Sequence, residues 1–147
     1  MRARALGRVL MKSMLTTKER KVKKEILETT KAPAAIGPYS QGIAAGDLVF
    51  VSGQLPINPE TGEMPEDIKC QAKASLENVK AVLEAAGSSL DKVVKTTCFL
   101  ADIKYFADFN EVYAQFFPGK GAPARSAVGI AALPKGAKVE IEAIAIK

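Results

Sequence analysis

One stretch with a clear helical period constrains the fold of this chain more than any other feature. Between about Asp67 and Ala86, apolar side chains recur three or four residues apart and share one face: Ile68, Ala72, Leu76, Val79, Leu83 and Ala86. Gly87 follows at the position where a helix C-terminal cap belongs. A helix with one apolar stripe has to bury that stripe against another layer. The segments around it have the character of strands, which predicts a helix packed on a sheet.

The other periodic segments predict six strands and a second helix. Strands are expected over residues 26–31, 41–45, 48–53, 93–101, 125–132 and 138–146. The turn at residues 45–47 predicts a hairpin, and residues 134–137 join the last two strands as a second one. The order β-β-β-α-β-α-β-β favours an α+β sandwich, in which two helices cover one face of a mostly antiparallel six-stranded sheet.

The second helix is expected over residues 103–117, with Asp102 as its cap. Its inward side chains are predicted to anchor the core: Phe106, Phe109, Val112, Tyr113, Phe116 and Phe117. Cys98, in the middle of a strand, is expected to be a core residue.

The last strand has apolar residues on both faces. One face carries Val139, Ile141, Ala143 and Ala145, and the other carries Glu140, Glu142, Ile144 and Ile146. Helices can cover only one of these faces, so a partner subunit is the natural cover for the other. Two carboxylates on such a face are costly unless they are paired or solvated. Glu142 is interpreted as part of a solvated strand end.

Charge divides the chain into two parts. Residues 1–25 hold nine Lys/Arg and two Glu, whereas residues 26–147 hold twelve Lys/Arg and fourteen Asp/Glu. The first part is interpreted as a basic leader and the second as a single domain with a net charge of −2. Such a body is a poor surface for nucleic acid, which needs clustered Lys/Arg. No apolar run approaches the roughly 18 residues that span a bilayer.

The leader has the pattern of a transit peptide. Basic and apolar residues each repeat every four positions on opposite sides of a helix: Arg4, Arg8 and Lys12 against Leu6, Leu10 and Met14. This pattern predicts an organelle address, most similar to a mitochondrial one. The alternative is a disordered basic tail on a cytoplasmic protein.

The chain contains no histidine and only two cysteines. Triads that need histidine, histidine-containing metal sites and a disulfide framework are therefore excluded. From residue 26 onward there are eleven lysines but one arginine, Arg125. Arginine offers a planar fork that grips a carboxylate or phosphate with two hydrogen bonds. Arg125 is thus either an anion clamp or an ordinary surface cation.

Several motifs together resemble a known family. They are Ala32-Pro33-Ala34-Ala35-Ile36-Gly37-Pro38-Tyr39-Ser40-Gln41, Val51-Ser52-Gly53-Gln54-Leu55-Pro56, Lys95-Thr96-Thr97 with Phe99, Pro123-Ala124-Arg125-Ser126, Leu133-Pro134-Lys135-Gly136 and Val139-Glu140-Ile141-Glu142-Ala143. Residues 28–147 are similar to the reactive intermediate deaminase A family, also called YjgF/UK114. The resemblance implies a chorismate-mutase-like sandwich that assembles as a homotrimer with clefts between subunits.

The resemblance also implies an activity: hydrolysis of 2-imino acids, such as 2-iminobutanoate and 2-iminopropanoate, to 2-keto acids and ammonia. These imines escape from pyridoxal-phosphate enzymes, and the family itself needs no cofactor. By matching motifs, Arg125 would clamp the substrate carboxylate and Glu140 would orient the attacking water. Tyr39, Ser52 and the backbone of Gly53 would line the cleft near the imine.

Ala127 occupies a substrate-site position that is a cysteine in many bacterial members, so a thiol nucleophile is excluded there. Members of this family have also been linked to RNA cleavage, translation inhibition and chaperoning. A non-catalytic trimeric binding or regulatory protein is therefore the alternative function. The net charge of the body, −2, makes nucleic acid an unlikely partner, and no membrane partner is expected.

Overall fold

The computed structural model describes residues 21–147, so most of the predicted leader lies outside the described residues. The described chain forms six strands and two α-helices in the predicted order. Their bounds are β1 Lys24–Leu27, β2 Gly42–Ala45, β3 Leu48–Gln54, α1 Ile68–Ala85, β4 Val93–Leu100, α2 Phe106–Phe116, β5 Ala124–Gly129 and β6 Val139–Ile146. Neither helix is long and apolar enough to cross a membrane.

The strands form one mixed sheet in the order β1-β2-β3-β6-β4-β5. Four neighbouring pairs are antiparallel, including the predicted hairpin of β2 and β3, and β4 pairs with β5 in parallel. The predicted hairpin between the last two strands is wrong. Helix α2 forms the crossover from β4 to β5, and a crossover returns the chain in the same direction. The chain then passes β4, and β6 inserts between β3 and β4.

The ends of α1 are capped as the sequence predicts. The Asp67 side chain accepts a hydrogen bond from the Cys70 N–H at 3.0 Å. At the other end, Gly87 takes a φ of +76°, which favours glycine. Its N–H donates to the Glu84 carbonyl at 3.0 Å, and the Ser88 N–H donates to the Leu83 carbonyl at 2.9 Å.

Both helices cover the same face of the sheet and enclose the core. The apolar stripe of α1 is buried there, and so are Cys98 and four of the predicted inward residues of the second helix: Phe109, Val112, Tyr113 and Phe117. Phe116 packs at the margin of the core. Phe106 departs from the prediction, because 38% of its surface is exposed. It is the first residue of α2 and lies over the edge strand β5, beside Arg125. The prediction that Asp102 caps this helix is wrong, because its side chain caps a short 3-10 turn over Ile103–Tyr105 that precedes α2.

The opposite face of the sheet, called here the open face, has no covering layer in the described chain. The strand register aligns Ile26, Ile43, Phe50 and Ile144 in one row across four strands, ending at Lys95 on β4. Ile26 and Phe50 are exposed by 63% and 41%. On β6 itself Ile141 is buried while Ile146, on the other face, is exposed, so the two-sided apolar pattern predicted for the last strand is confirmed. Contiguous exposed apolar surface of this kind marks an interaction surface.

Candidate functional site

A cleft of about 560 Å³ lies at one end of the open face. Its walls are the loop before β2, the end of β3, the turn that contains Pro134 and Lys135, and the first residues of β6. Four residues predicted for the site line it together: Tyr39, Ser52, Gly53 and Glu140. Glu142, interpreted from the sequence as a solvated strand end, is exposed and lines the same cleft.

A buried glutamine holds the loop that forms one wall of the cleft. The Gln41 amide donates to the carbonyls of Thr29, Ala32 and Pro33, at 3.0, 3.2 and 2.8 Å, and accepts from the Thr29 N–H at 2.7 Å. The same loop carries Tyr39, whose ring is half-exposed and whose hydroxyl accepts from the Ile36 N–H at 3.3 Å. Buried amides that are fully hydrogen-bonded stabilise one conformation. Gln41 therefore sets the shape of this wall.

A β-bulge shapes the opposite wall. Val51 pairs with Ala143 but Gln54 pairs with Ile141, so β3 carries one more residue than β6 over this interval. The extra length falls at Ser52 and Gly53. The Ser52 hydroxyl donates to the Ser40 carbonyl at 2.6 Å, which ties the bulge to the neighbouring loop.

Gly53 lets the carboxylate of Glu140 approach the backbone of β3. A Cβ atom at position 53 would stand 2.8 Å from Cδ of Glu140 and would overlap its Oε1. A side chain at this position is therefore incompatible with the position of the carboxylate. Close approach of backbone to a functional group is one of the reasons that a strand position requires glycine.

The environment of Glu140 favours its protonated form. Burial raises the pKa of this carboxyl above its usual value of 4.5, and the charge of Glu142 raises it further. Among the described residues, no side chain or backbone group donates a hydrogen bond to the Glu140 carboxylate. Its oxygens are thus available to water or to a ligand in the cleft. A carboxylate with a raised pKa is a stronger base than an exposed one.

Arg125 lies on β5, outside the cleft. One Nη1–H donates to Asn110 Oδ1 at 2.7 Å. The guanidinium carbon lies 4.6 Å from the ring centre of Tyr113, 5.5 Å from that of Phe106 and 5.9 Å from that of Phe109. These distances are within the range of cation–π contacts.

Arg125 and Glu140 lie on opposite faces of the sheet in one chain. Arg125 pairs with Thr96, which pairs with Ala143, a residue on the helix-covered face of β6. Glu140 is three residues from Ala143 along the same strand, so its side chain points to the open face. Ala127 shares the face of Arg125 and packs against the core, opposite Cys98. The chain thus brings together four predicted site residues and separates Arg125 and Ala127 from them.

Two residues of this region were not singled out from the sequence. Asn110 lies between Phe106 and Tyr113 on α2, four residues after one and three before the other, so helical spacing places it beside the inward stripe. Gln41 belongs to the N-terminal motif, which does not indicate a role for it. The sequence feature that could have indicated both residues is a polar side chain directly beside a run of apolar positions. Within residues 21–147, no group of three or more acidic or cysteine side chains converges to hold a metal ion.

Comparison with known proteins identifies the class to which this fold and cleft belong. Residues 29–147 match the model of the family described as Endoribonuclease L-PSP. The 2-iminobutanoate/2-iminopropanoate deaminase of Escherichia coli (strain K12) is 52% identical over 123 residues, which cover 82% of this chain and 96% of that protein. TdcF of the same organism, named as a candidate reactive intermediate deaminase, is 54% identical over 126 residues, covering 84% and 98%.

The structural comparison agrees with the sequence comparison. The crystal structure of E. coli TdcF with bound serine matches this fold with a TM-score of 0.80 at 54% identity, covering 84% of this chain and 98% of that one. This chain belongs to the Endoribonuclease L-PSP family, which is also the YjgF/RidA family. The family resemblance inferred from the sequence motifs is therefore confirmed.

Proposed function

We propose that this protein hydrolyses small 2-imino acids, such as 2-iminobutanoate and 2-iminopropanoate, to the corresponding 2-keto acids and ammonia. The observation that carries the proposal is the half-buried carboxylate of Glu140, packed against Gly53 in an open cleft. Two relatives that are 52% and 54% identical to this chain over the matched residues are named as deaminases, one of them with these two imines in its name.

The chemistry needs little beyond a placed water molecule and a route for protons. Glu140 takes a proton from water as the oxygen adds to the imine carbon and passes that proton to the nitrogen, so the C=N bond becomes a C–N single bond in a carbinolamine. The carbinolamine hydroxyl then gives up its proton, the nitrogen takes up a second proton, and the C–N bond breaks, which leaves a C=O bond and ammonia. General acid–base assistance of this kind contributes roughly 10²–10⁴-fold. The imines themselves arise from pyridoxal-phosphate enzymes that eliminate water from hydroxy amino acids.

We propose further that each site is shared between two copies of the chain in a homotrimer. Arg125, with Ala127 beside it, would come from the β5 edge of one copy, and the cleft with Tyr39, Ser52, Gly53 and Glu140 would come from the next. The apolar open face supports association, and so does the placement of Arg125 and Glu140 on opposite faces of one chain. The arginine would grip the substrate carboxylate while the carboxylate of Glu140 faces the imine carbon.

The test couples the protein to a threonine dehydratase and follows release of 2-ketobutanoate. Arg125→Ala and Glu140→Gln should each abolish the acceleration over spontaneous hydrolysis, and Arg125→Lys should remain poor because lysine lacks the fork. Full activity of Arg125→Ala would contradict the assigned role. Lys80→Glu, an exposed change on α1, is the control that should leave the rate unchanged.

Mixing the two inactive variants tests the shared site. Co-expressed Arg125→Ala and Glu140→Gln chains should recover about a quarter of the wild-type activity, because random association in a symmetric oligomer gives that share of intact sites. Each variant purified alone stays inactive. If the mixed assembly remains inactive although the two chains co-purify, the two residues do not belong to one shared site.

A further inference from the structure

The guanidinium of Arg125 packs against α2 without being neutralised. Three aromatic rings of α2 lie 4.6 to 5.9 Å from it, and its hydrogen-bond partner from α2 is the neutral amide of Asn110. No carboxylate of residues 21–147 lies within 4.0 Å of it. Ring faces attract a cation but carry no net charge, so they do not neutralise the guanidinium.

The ring that lies nearest to the guanidinium is itself fixed from the sheet. The Tyr113 hydroxyl shares a hydrogen bond of 2.7 Å with the Thr96 hydroxyl, and both residues are buried. Thr96 is the residue that pairs with Arg125 across the parallel strands β4 and β5. Thr96 therefore contributes to the position of Arg125 in two ways. Its backbone pairs with that of Arg125, and its hydroxyl holds the ring against which the guanidinium packs.

We infer that Asn110 is a positioning residue of the proposed deaminase site. Its Oδ1 occupies one N–H of Arg125 and thereby directs the remaining donors away from α2, toward an incoming carboxylate. The neutrality of the amide is as important as its geometry. An aspartate would accept the same hydrogen bond, but it would form an internal ion pair that competes with the substrate for the guanidinium.

The inference rests on the proposed role of Arg125, and the experiment separates the two. Binding of 2-ketobutanoate, the stable product, is measured by calorimetry on the full chain with Asn110→Asp, Asn110→Ala and Arg125→Ala. The matched control is Gln115→Glu, which makes the same amide-to-carboxylate change at an exposed position of the same helix. Circular dichroism and size-exclusion chromatography verify that each variant is folded and assembled.

We expect Asn110→Asp to weaken binding by about tenfold or more, because an ion pair inside the protein replaces the one with the ligand. Asn110→Ala should weaken it less, and Gln115→Glu should bind as wild type does. In steady-state assays, both Asn110 variants should raise KM more than they lower kcat. A loss of fold would lower the active fraction without changing KM.

The binding results distinguish a failure of the proposed Arg125 clamp from a failure of the positioning role of Asn110. If Arg125→Ala binds 2-ketobutanoate as wild type does, the proposed clamp is wrong and the inference falls with it. If Arg125→Ala loses binding but both Asn110 variants bind normally, only the positioning role is wrong. Should Asn110→Asp fail to fold, Asn110→Ala decides alone: unchanged affinity would overturn the inference, and weaker affinity with retained kcat would support it.

Discussion

At the scale of single residues, the chemistry of this protein depends on where a common side chain is placed. Glu140 and Glu142 are identical in kind and two residues apart on one strand face. Glu140 is partly buried against Gly53, whereas Glu142 is exposed. Burial disfavours the charged form, so Glu140 is the better proton acceptor of the two. The alternation of side chains along the strand does not separate these two glutamates, and only the family motif singles out Glu140. The structure adds the physical reason, which is the bulge that faces Glu140.

The pKa of Glu140 predicts a dependence of stability on pH. Its pKa is raised in the folded state, chiefly by burial, so the unfolded chain releases this proton at a lower pH than the native protein does. Stability from this group is therefore fully present below pH 4.5 and is lost as the pH rises through the folded pKa.

Glu140→Gln removes this loss and should raise Tm at pH 7 by about 1–3 °C, a modest gain because solvent screens a half-buried group. The gain should vanish below the usual carboxyl pKa of 4.5, while the activity is lost at every pH. Calorimetry across the pH range checks this, with the exposed Glu84→Gln as control. A gain of equal size at low pH would show that the effect is not electrostatic.

At the scale of elements, local sequence patterns were sufficient to predict where α1 begins and ends, but they were insufficient to predict how the strands pair. Asp67 and Gly87 mark the ends of α1 in the sequence and act as its caps in the structure. The pairing of β5 was predicted wrongly, because a Pro/Gly turn between two strands indicates a hairpin but does not exclude a crossover. The parallel partner of β5 is decided by the packing of α2, which lies far from the turn in sequence.

The bulge of β3 carries an element-scale prediction. Gly53→Ala should lower kcat by at least about tenfold, because a Cβ atom would displace the carboxylate of Glu140 from its place. Gly121→Ala is the matched control, since a Cβ atom there meets nothing within 4 Å. Rates from the coupled assay, with Tm for both variants, provide the comparison. Wild-type kcat in Gly53→Ala would mean that the position of Glu140 is not critical.

At the scale of the whole molecule, the fold leaves one face of its sheet without a cover. The row from Ile26 to Ile144 crosses four strands, and Lys95 continues it. Together with the separation of Arg125 from the cleft, this surface makes the single chain an incomplete unit for the proposed reaction. In the proposed assembly, one contact between two copies would cover the open face and also bring Arg125 of one copy to the cleft of the next.

The variant Phe50→Glu tests association through the open face, because Phe50 lies in the middle of its apolar row. A charge placed there should dissociate the assembly, because an unpaired buried carboxylate costs several kcal/mol at an interface. Light scattering after size-exclusion chromatography should show a shift toward monomer, with deaminase activity lost in parallel. Lys80→Glu on α1 is the control and should remain assembled. An unchanged mass for Phe50→Glu would contradict association through the open face.

The sequence by itself determined the order of the elements, the caps of α1, the two-sided last strand and the family, because these rest on local periodicity and on motifs read along the chain. It also indicated every residue of the proposed site except Asn110. The tertiary structure decided how those residues are grouped: Tyr39, Ser52, Gly53 and Glu140 in one cleft, and Arg125 with Ala127 on the other face. The physical reason is that side chains alternate across a sheet, so the register and direction of each strand decide which residues meet. Register is set by packing between segments that are distant in sequence, so it cannot be predicted from the sequence of one segment.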